Sequence, residues 1–132
     1  SRQVKKTLKY DYKSGTQAMA LSVGSLGKVI AFEPNPDTIK VLQYNCRINQ
    51  VHIDIVNKAI HNIENQEDSF YITETPGMCS IIEPSKFKSV IKVPTITLDR
   101  YMLLNSINRC DLIKIDTEGN DLNVIYSAKK SI

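Results

Sequence analysis

The sequence has no long apolar run, few cysteines and little net charge, and each shortage excludes a class of protein. No apolar run approaches the ~18 residues that a membrane-spanning helix needs, so the sequence predicts no transmembrane segment. Five glycines and five prolines in 132 residues exclude collagen-like and disordered chains. A hydrophobic fraction of 42% in this length is enough for one domain with a buried core.

The cysteines Cys46, Cys79 and Cys110 are odd in number and widely spaced, with no CxxC pair and no Cys/His cluster. This pattern predicts neither a metal site nor a disulfide framework. The first residues include no apolar stretch typical of a secretion signal. We therefore expect free thiols and a cytoplasmic protein.

The formal net charge of +3 is concentrated at the start of the chain. Residues 1–15 contain five basic residues and one acid, a charge of +4, so residues 16–132 sum to −1. A basic leading segment could touch phosphate or membrane headgroups, although a solvated arm or terminal strand is the simpler interpretation. The body has no basic surface pattern typical of nucleic-acid binding.

Short β-rich runs alternate with helical patterns, which predicts an α/β fold. The apolar run Lys28–Phe32 is typical of a strand buried on both faces. Asn35 and Pro36 then form a helix start, with the helix ending near Asn49 and its apolar stripe at Ile39, Leu42 and Cys46. The run His52–Ile60 reads as the next strand, so this stretch predicts a βαβ unit.

The other predicted elements flank this unit. They are a helix over Thr16–Ser25, strands over Ser69–Thr75, Ser89–Leu98 and Asp111–Ile115, and helices over Asp99–Asn105 and Asn120–Ile132. Pro94 predicts that its strand lies at an edge or carries a bulge. The last helix is expected to pack on the sheet through one face formed by Leu122, Ile125, Tyr126 and Lys129.

Two of the predicted strands end in an acid, Glu33 and Asp116. Ligands of open parallel sheets bind at the carboxyl ends of the strands, where a carboxylate commonly accepts hydrogen bonds from ribose hydroxyls. Glu33 could equally stabilise the N-terminus of the helix that follows it. The spacing alone leaves the two interpretations equal.

Asp116, Glu118 and Asp121 form the densest acidic cluster of the chain. At the end of a strand such a cluster could supply a general base, a cation site or polar contacts to a charged ligand. Acids in a first helical turn also stabilise the helix, and this explanation fits Glu118 and Asp121 better than Asp116. The sequence contains neither a G-x-S-x-G motif nor a Walker loop.

Four sequence blocks stand out: GKVIAFEPNP over Gly27–Pro36, LQYN over Leu42–Asn45 with Asn49, GMCS over Gly77–Ser80 ahead of TLD over Thr97–Asp99, and LIKIDTEG over Leu112–Gly119. The order and residues of these blocks resemble the FkbM family of S-adenosylmethionine-dependent methyltransferases. The resemblance spans residues 16–132. The resemblance implies a Rossmann-like, three-layer class I methyltransferase fold with a mostly parallel sheet.

The resemblance also implies S-adenosylmethionine as methyl donor and an acceptor hydroxyl on a sugar, lipid or polyketide-like molecule. Carried over by position, Glu33 would bind the ribose and Pro34 would lie against the adenine. Lys58, Ala59 and Ile60 would line the adenine pocket. The catalytic candidates are Asp116, as a base or as a contact to the amino group of the cofactor, and Glu118 beside it; Ser80 would belong to the pocket wall.

The sequence departs from the family at both ends. In the family an acid and glycines form the turn before the first helix; here Asp11 could stand for the acid and Gly15 for the last glycine, while Lys13 and Ser14 occupy the middle. The predicted first strand, up to Tyr10, has a half-exposed alternation. After the helix that follows Asp116, we expect the later strands of the fold to be absent from this sequence. We therefore expect an incomplete sheet that a partner chain or a further segment could complete.

These observations predict one partial methyltransferase-like domain over residues 1–132, with a basic segment over residues 1–15. The leading functional hypothesis is an S-adenosylmethionine-dependent O-methyltransferase. A degenerate, non-catalytic module that serves assembly is the alternative, because the glycine turn is altered. A different nucleotide-binding α/β enzyme with the same ribose-binding acid is a third.

Overall fold

The computed structural model describes residues 14–63, 66–74, 79, 81–115, 117 and 119–131, with the backbone alone for 14–18. The elements in chain order are α1 (Ser14–Val23), β1 (Ile30–Phe32), α2 (Pro36–Asn49), β2 (Asp54–Val56), β3 (Ala59–Ile60), β4 (Glu67–Ile72), β5 (Ser89–Ile96), α3 (Leu98–Leu104) and α4 (Asp121–Ser127). They form two compact units, of which the first ends at Asn57 and the second begins at Lys58.

The first unit contains the predicted βαβ arrangement. Strands β1 and β2 pair in parallel, with Ile30 opposite Asp54 and Phe32 opposite Val56, and α2 connects them. Parallel neighbours require such a crossover connection. The core of this unit consists of Val29, Leu42, Cys46 and Ile53. The βαβ prediction is confirmed.

Helix α2 begins and ends as its sequence predicts. The side chain of Asn35 accepts a hydrogen bond of 3.0 Å from the backbone N–H of Asp37, and Pro36 occupies the first helical position. At the other end Gln50 adopts a left-handed conformation with φ of 54° and donates to the carbonyls of Arg47 and Cys46. At both ends of the helix, backbone groups that have no partner within the helix therefore form hydrogen bonds.

The single strand expected over His52–Ile60 is wrong in one respect, because the chain forms two strands there. β2 pairs with β1, and β3 pairs in parallel with β5. Ile53 packs in the core of the first unit, whereas Ala59 packs with Phe70 and Val93 in the second. The break after Asn57 therefore allows one apolar run to contribute to two cores.

The second unit contains a three-stranded mixed sheet in the order β3-β5-β4. β5 is its central strand, antiparallel to β4 and parallel to β3. The prediction that Pro94 marks an edge strand is therefore wrong. The sheet tolerates Pro94 because pairing with β3 begins only at Thr95, so no bond from position 94 is needed on that side.

The segment predicted as a strand over Asp111–Ile115 is not one in the structure. Leu112 is 66% exposed, and no strand of the described chain pairs with the segment. An alternation of apolar and polar residues favours a strand only where a neighbouring strand completes the ladder.

Helix α4 is shorter than expected and buries another face. Leu122, Ile125 and Tyr126 are exposed, as is Lys129 beyond the end of the helix, while Val124, Ser127 and Ala128 are buried. Ser127 can be buried because its hydroxyl donates to Val124 O and accepts from the backbone N–H of Leu98. The predicted packing face is therefore wrong.

The α/β class is confirmed, whereas one mostly parallel sheet is not what the described chain forms. It contains a two-stranded parallel sheet and a three-stranded mixed sheet. The described helices include none that is both long and apolar enough to cross a membrane.

Candidate functional site

The carboxyl end of β1 carries the first predicted ligand-binding residues. The backbone N–H of Glu33 donates to Val56 O at 2.9 Å, which extends the ladder of β1 and β2 by one residue. Pro34 follows at once, and Asn35 caps α2. Glu33 and Pro34 thus lie together in a short turn between a parallel strand and the N-terminus of a helix, a position where α/β proteins bind ligands.

The Glu33 side chain also takes part in this turn. Its Oε1 accepts a hydrogen bond of 3.2 Å from the backbone N–H of Asn35. This contact is the helix-stabilising role that the sequence left open for Glu33. A carboxylate accepts several hydrogen bonds at once, so this contact leaves the Glu33 carboxylate able to accept others.

Sequence reasoning missed Asn57, which follows β2. Its amide nitrogen, oriented toward the acceptors, lies 3.2 Å from Glu33 O and 3.1 Å from Pro34 O. The signal for it was available, since the carboxyl ends of parallel neighbours meet at one edge of the sheet. Asn57 occupies on β2 the position that Glu33 occupies on β1, as the residue after the strand.

Lys58, Ala59 and Ile60 begin the second unit. Lys58 is half-buried, while Ala59 and Ile60 form β3 and are buried. Ala59 packs against Phe70 and Val93 in the core of this unit.

The turn before α4 is organised around Asp121, whose Oδ1 accepts hydrogen bonds from both the N–H and the hydroxyl of Thr117. Gly119 has a φ of 100°, a conformation that favours glycine. Asn120 is buried and donates to Ile60 O at 2.9 Å, which links this turn to the end of β3. Asp121 therefore has the structural role that its sequence position suggests, and Asn120 was missed.

The remaining predicted site residues divide into two groups. Gly15 is the second residue of α1. Asp116, Glu118 and Ser80 lie outside the described residues.

A charged cluster lies at the opposite, amino-terminal end of β2. Lys28 Nζ is 3.0 Å from Asp54 Oδ2, and His52 Nε2 is 2.9 Å from Asp54 Oδ1. The hydrogen bond from Lys28, with a smaller contribution from His52, holds the pKa of Asp54 below its ordinary value. Asp54 is thus a charged surface partner rather than a base.

The cysteines are free, and burial raises the pKa of the Cys46 thiol. A buried thiol with a raised pKa is a poor nucleophile. Within the part of the chain that the structure describes, no three His, Cys, Asp or Glu side chains come together as a metal site would require.

The family model for the methyltransferase FkbM domain matches residues 10–132, nearly the whole sequence. The chain therefore belongs to the FkbM methyltransferase family, and the resemblance of its sequence blocks is confirmed. Neither the curated proteins nor the solved structures include a significant match to the chain.

Proposed function

We propose that the chain is an S-adenosylmethionine-dependent methyltransferase that methylates a hydroxyl group of a sugar, lipid or natural-product-like small molecule. The observation that carries the proposal is the Glu33 turn. In a member of a methyltransferase family, an acid follows a parallel strand, and its carboxylate accepts a hydrogen bond from the backbone N–H of the N-cap residue of the next helix.

The chemistry of this turn fits the nucleoside end of S-adenosylmethionine. Two vicinal ribose hydroxyls are donors, and a carboxylate can accept from both. Pro34 follows Glu33 and offers an apolar ring for the adenine. The family resemblance assigns Lys58, Ala59 and Ile60 to the adenine as well.

S-adenosylmethionine supplies, when bound, a methyl group on a positively charged sulfur. The task of the chain's own residues is to bind both reactants and align the acceptor oxygen, which contributes most of the rate. We assign Asp116 the removal of the proton from the acceptor hydroxyl. Glu118, two residues further on in the sequence, is the second catalytic candidate.

Calorimetry with S-adenosylmethionine and S-adenosylhomocysteine tests the binding step. We expect Glu33→Ala to weaken binding at least tenfold, the loss of about one charge-assisted hydrogen bond. Glu67→Ala is the matched control, because Glu67 is an exposed acid on β4, and it should leave affinity unchanged. Binding that survives Glu33→Ala would contradict the assignment of Glu33.

Turnover tests the catalytic step with a panel of hydroxyl acceptors. We expect Asp116→Asn to leave cofactor affinity nearly unchanged and to slow methyl transfer by about 100-fold or more. Unchanged turnover would show that Asp116 is not the base.

The second function is a non-catalytic module, which is favoured by Lys13 and Ser14 at sequence positions where the family resemblance implies glycine. Side chains there would obstruct the approach of the backbone to the cofactor. This function predicts no binding of S-adenosylmethionine by the intact chain. The same calorimetric titration therefore separates the two.

A further inference from the structure

We infer that Asn57 is a positioning residue that fixes the Glu33–Pro34 turn and so determines how well the chain recognises ribose hydroxyls. The inference rests on the proposed function, because it concerns the nucleoside end of the same site. Asn57 itself need not touch the ligand. It acts through the backbone that carries Glu33.

The geometry places Asn57 across the end of the two parallel strands. With the amide oriented so that its nitrogen and not its oxygen faces these two acceptors, that nitrogen lies 3.2 Å from Glu33 O and 3.1 Å from Pro34 O. An amide group has two N–H donors, so one donor is available for each carbonyl. With the bond from Glu33 N to Val56 O, three hydrogen bonds link the turn to the end of β2.

These bonds engage two carbonyl groups of a short connection between a strand and a helix. The carbonyls of Glu33 and Pro34 fall between the last residue of β1 and the first residue of α2. Backbone groups in such a connection bond to side chains or to water. A side chain that donates to both carbonyls restricts the turn to one conformation. Hydrogen bonds to water would permit several conformations.

The Glu33 side chain and its backbone are thus held separately. Asn35 N–H fixes the carboxylate, and Asn57 fixes the carbonyls on the same turn. A carboxylate that is already in place binds a diol without a further ordering cost. Removing Asn57 should therefore reduce the part of the affinity that depends on the ribose hydroxyls, while Glu33 itself stays present.

A purely structural role for Asn57 makes a different prediction. In that case its removal would lower the stability of the first unit and weaken all ligands equally. The measurement that separates the roles is the ratio of affinities for two ligands that differ only in ribose hydroxyls. The ligands are S-adenosylhomocysteine and its 2′-deoxyribose analogue.

The experiment uses the whole chain with Asn57→Ala and with Asn57→Asp, which keeps the size of the side chain but has no donor. We expect the unmodified chain to prefer the ribose ligand by about tenfold. In both variants the preference should fall to about twofold or less, with the affinity for the deoxy analogue nearly unchanged. In a Glu33→Ala background, adding Asn57→Ala should change neither affinity.

Asn105→Ala is the matched control. Asn105 is also exposed, and its amide also donates to a backbone carbonyl, that of Tyr101 at 2.9 Å. This variant should retain the full preference for ribose.

Amide hydrogen exchange provides a readout without ligand. The Glu33 N–H should exchange several-fold faster in both Asn57 variants, with circular dichroism confirming that they are folded. Unchanged exchange would overturn the inference.

The ligand results separate the two proposals. If the unmodified chain binds neither ligand, the proposed function fails, and the inference fails with it. If the unmodified chain prefers ribose and the Asn57 variants keep that preference, only the inference is overturned.

Discussion

The side-chain nitrogen of Asn120 donates a hydrogen bond of 2.9 Å to the carbonyl oxygen of Ile60. The two residues are 60 positions apart in the sequence, and Ile60 is near the start of the second unit. The Oδ1 atom of the same amide accepts from Asn123 Nδ2 at 2.8 Å. Asn120 precedes α4 and Ile60 ends β3, so one buried amide joins a helix start to a strand end.

Replacing Asn120 with alanine should therefore lower the free energy of unfolding by about 1–3 kcal/mol, because a buried carbonyl loses its donor. Urea denaturation measures the loss. Asn105→Ala removes an exposed amide bond to a carbonyl and should cost less than about 1 kcal/mol. Equal losses in the two variants would contradict a special role for the buried bond.

Leu42→Ala should destabilise the first unit strongly. Leu42 is 2% exposed and packs with Val29, Cys46 and Ile53. Deleting such a side chain costs about 2–5 kcal/mol through lost burial and a residual cavity. The neighbouring residue Val41 is 40% exposed, and Val41→Ala should cost less than about 1 kcal/mol in the same denaturation experiment. A larger loss for Val41 would mean that α2 packs through another face.

Gly119→Ala should cost about 1–3 kcal/mol, since φ of 100° is strained for any residue with a Cβ. The new Cβ would also lie 3.2 Å from Ile82 Cδ1. That atom ends a flexible, exposed side chain and can move away. Ile82→Val in the Gly119→Ala background should therefore restore little stability, as measured by thermal unfolding. Full restoration would show that the contact, not the backbone, causes the loss.

The charged cluster at Asp54 predicts a pH-dependent contribution to stability. The pKa of Asp54 is lowered in the folded chain, chiefly by the hydrogen bond from Lys28. A lowered folded-state pKa stabilises the fold above the ordinary carboxyl value of about 3.9, and this contribution is lost as the pH falls through the lowered pKa.

Asp54→Asn should therefore lower the free energy of unfolding at pH 7 by less than about 1 kcal/mol, because the pair is near the surface. The difference from the unmodified chain should shrink as the pH falls below about 4. Lys28→Gln should give a similar loss, and the double variant should be little worse than either single one. A difference that grows in acid would contradict the pairing.

Local signals in the sequence were enough to predict α2 and the βαβ unit. Asn35 and Pro36 specify a helix start through their own chemistry, and the apolar spacing of Leu42 and Cys46 specifies its buried face. The position of Glu33 after a parallel strand likewise follows from short-range pattern alone, although β1 is half-buried and not buried on both faces as expected.

The errors fall where structure depends on distant partners. Pro94 is tolerated in a central strand because the short strand β3 pairs with β5 only from Thr95 onward. The length of β3 cannot be predicted from the residues around Pro94. The face of α4 depends on a hydroxyl bond between Ser127 and Leu98. Asn120 was missed for the same reason, since it acts on a backbone carbonyl far away in the sequence, whereas the place of Asn57 after β2 was a usable signal.

The sheet order of the second unit has a consequence for the folding rate. β4 and β5 are consecutive strands, whereas β3 pairs with β5 across the whole of β4. Closing the shorter loop costs less entropy, so the β4–β5 pair should form early and offer β3 an existing edge. Truncating Phe70 should then slow folding, whereas truncating Ile60 should mainly speed unfolding. β3 is thus the last strand to join the sheet, although it is the first of the three strands in the sequence.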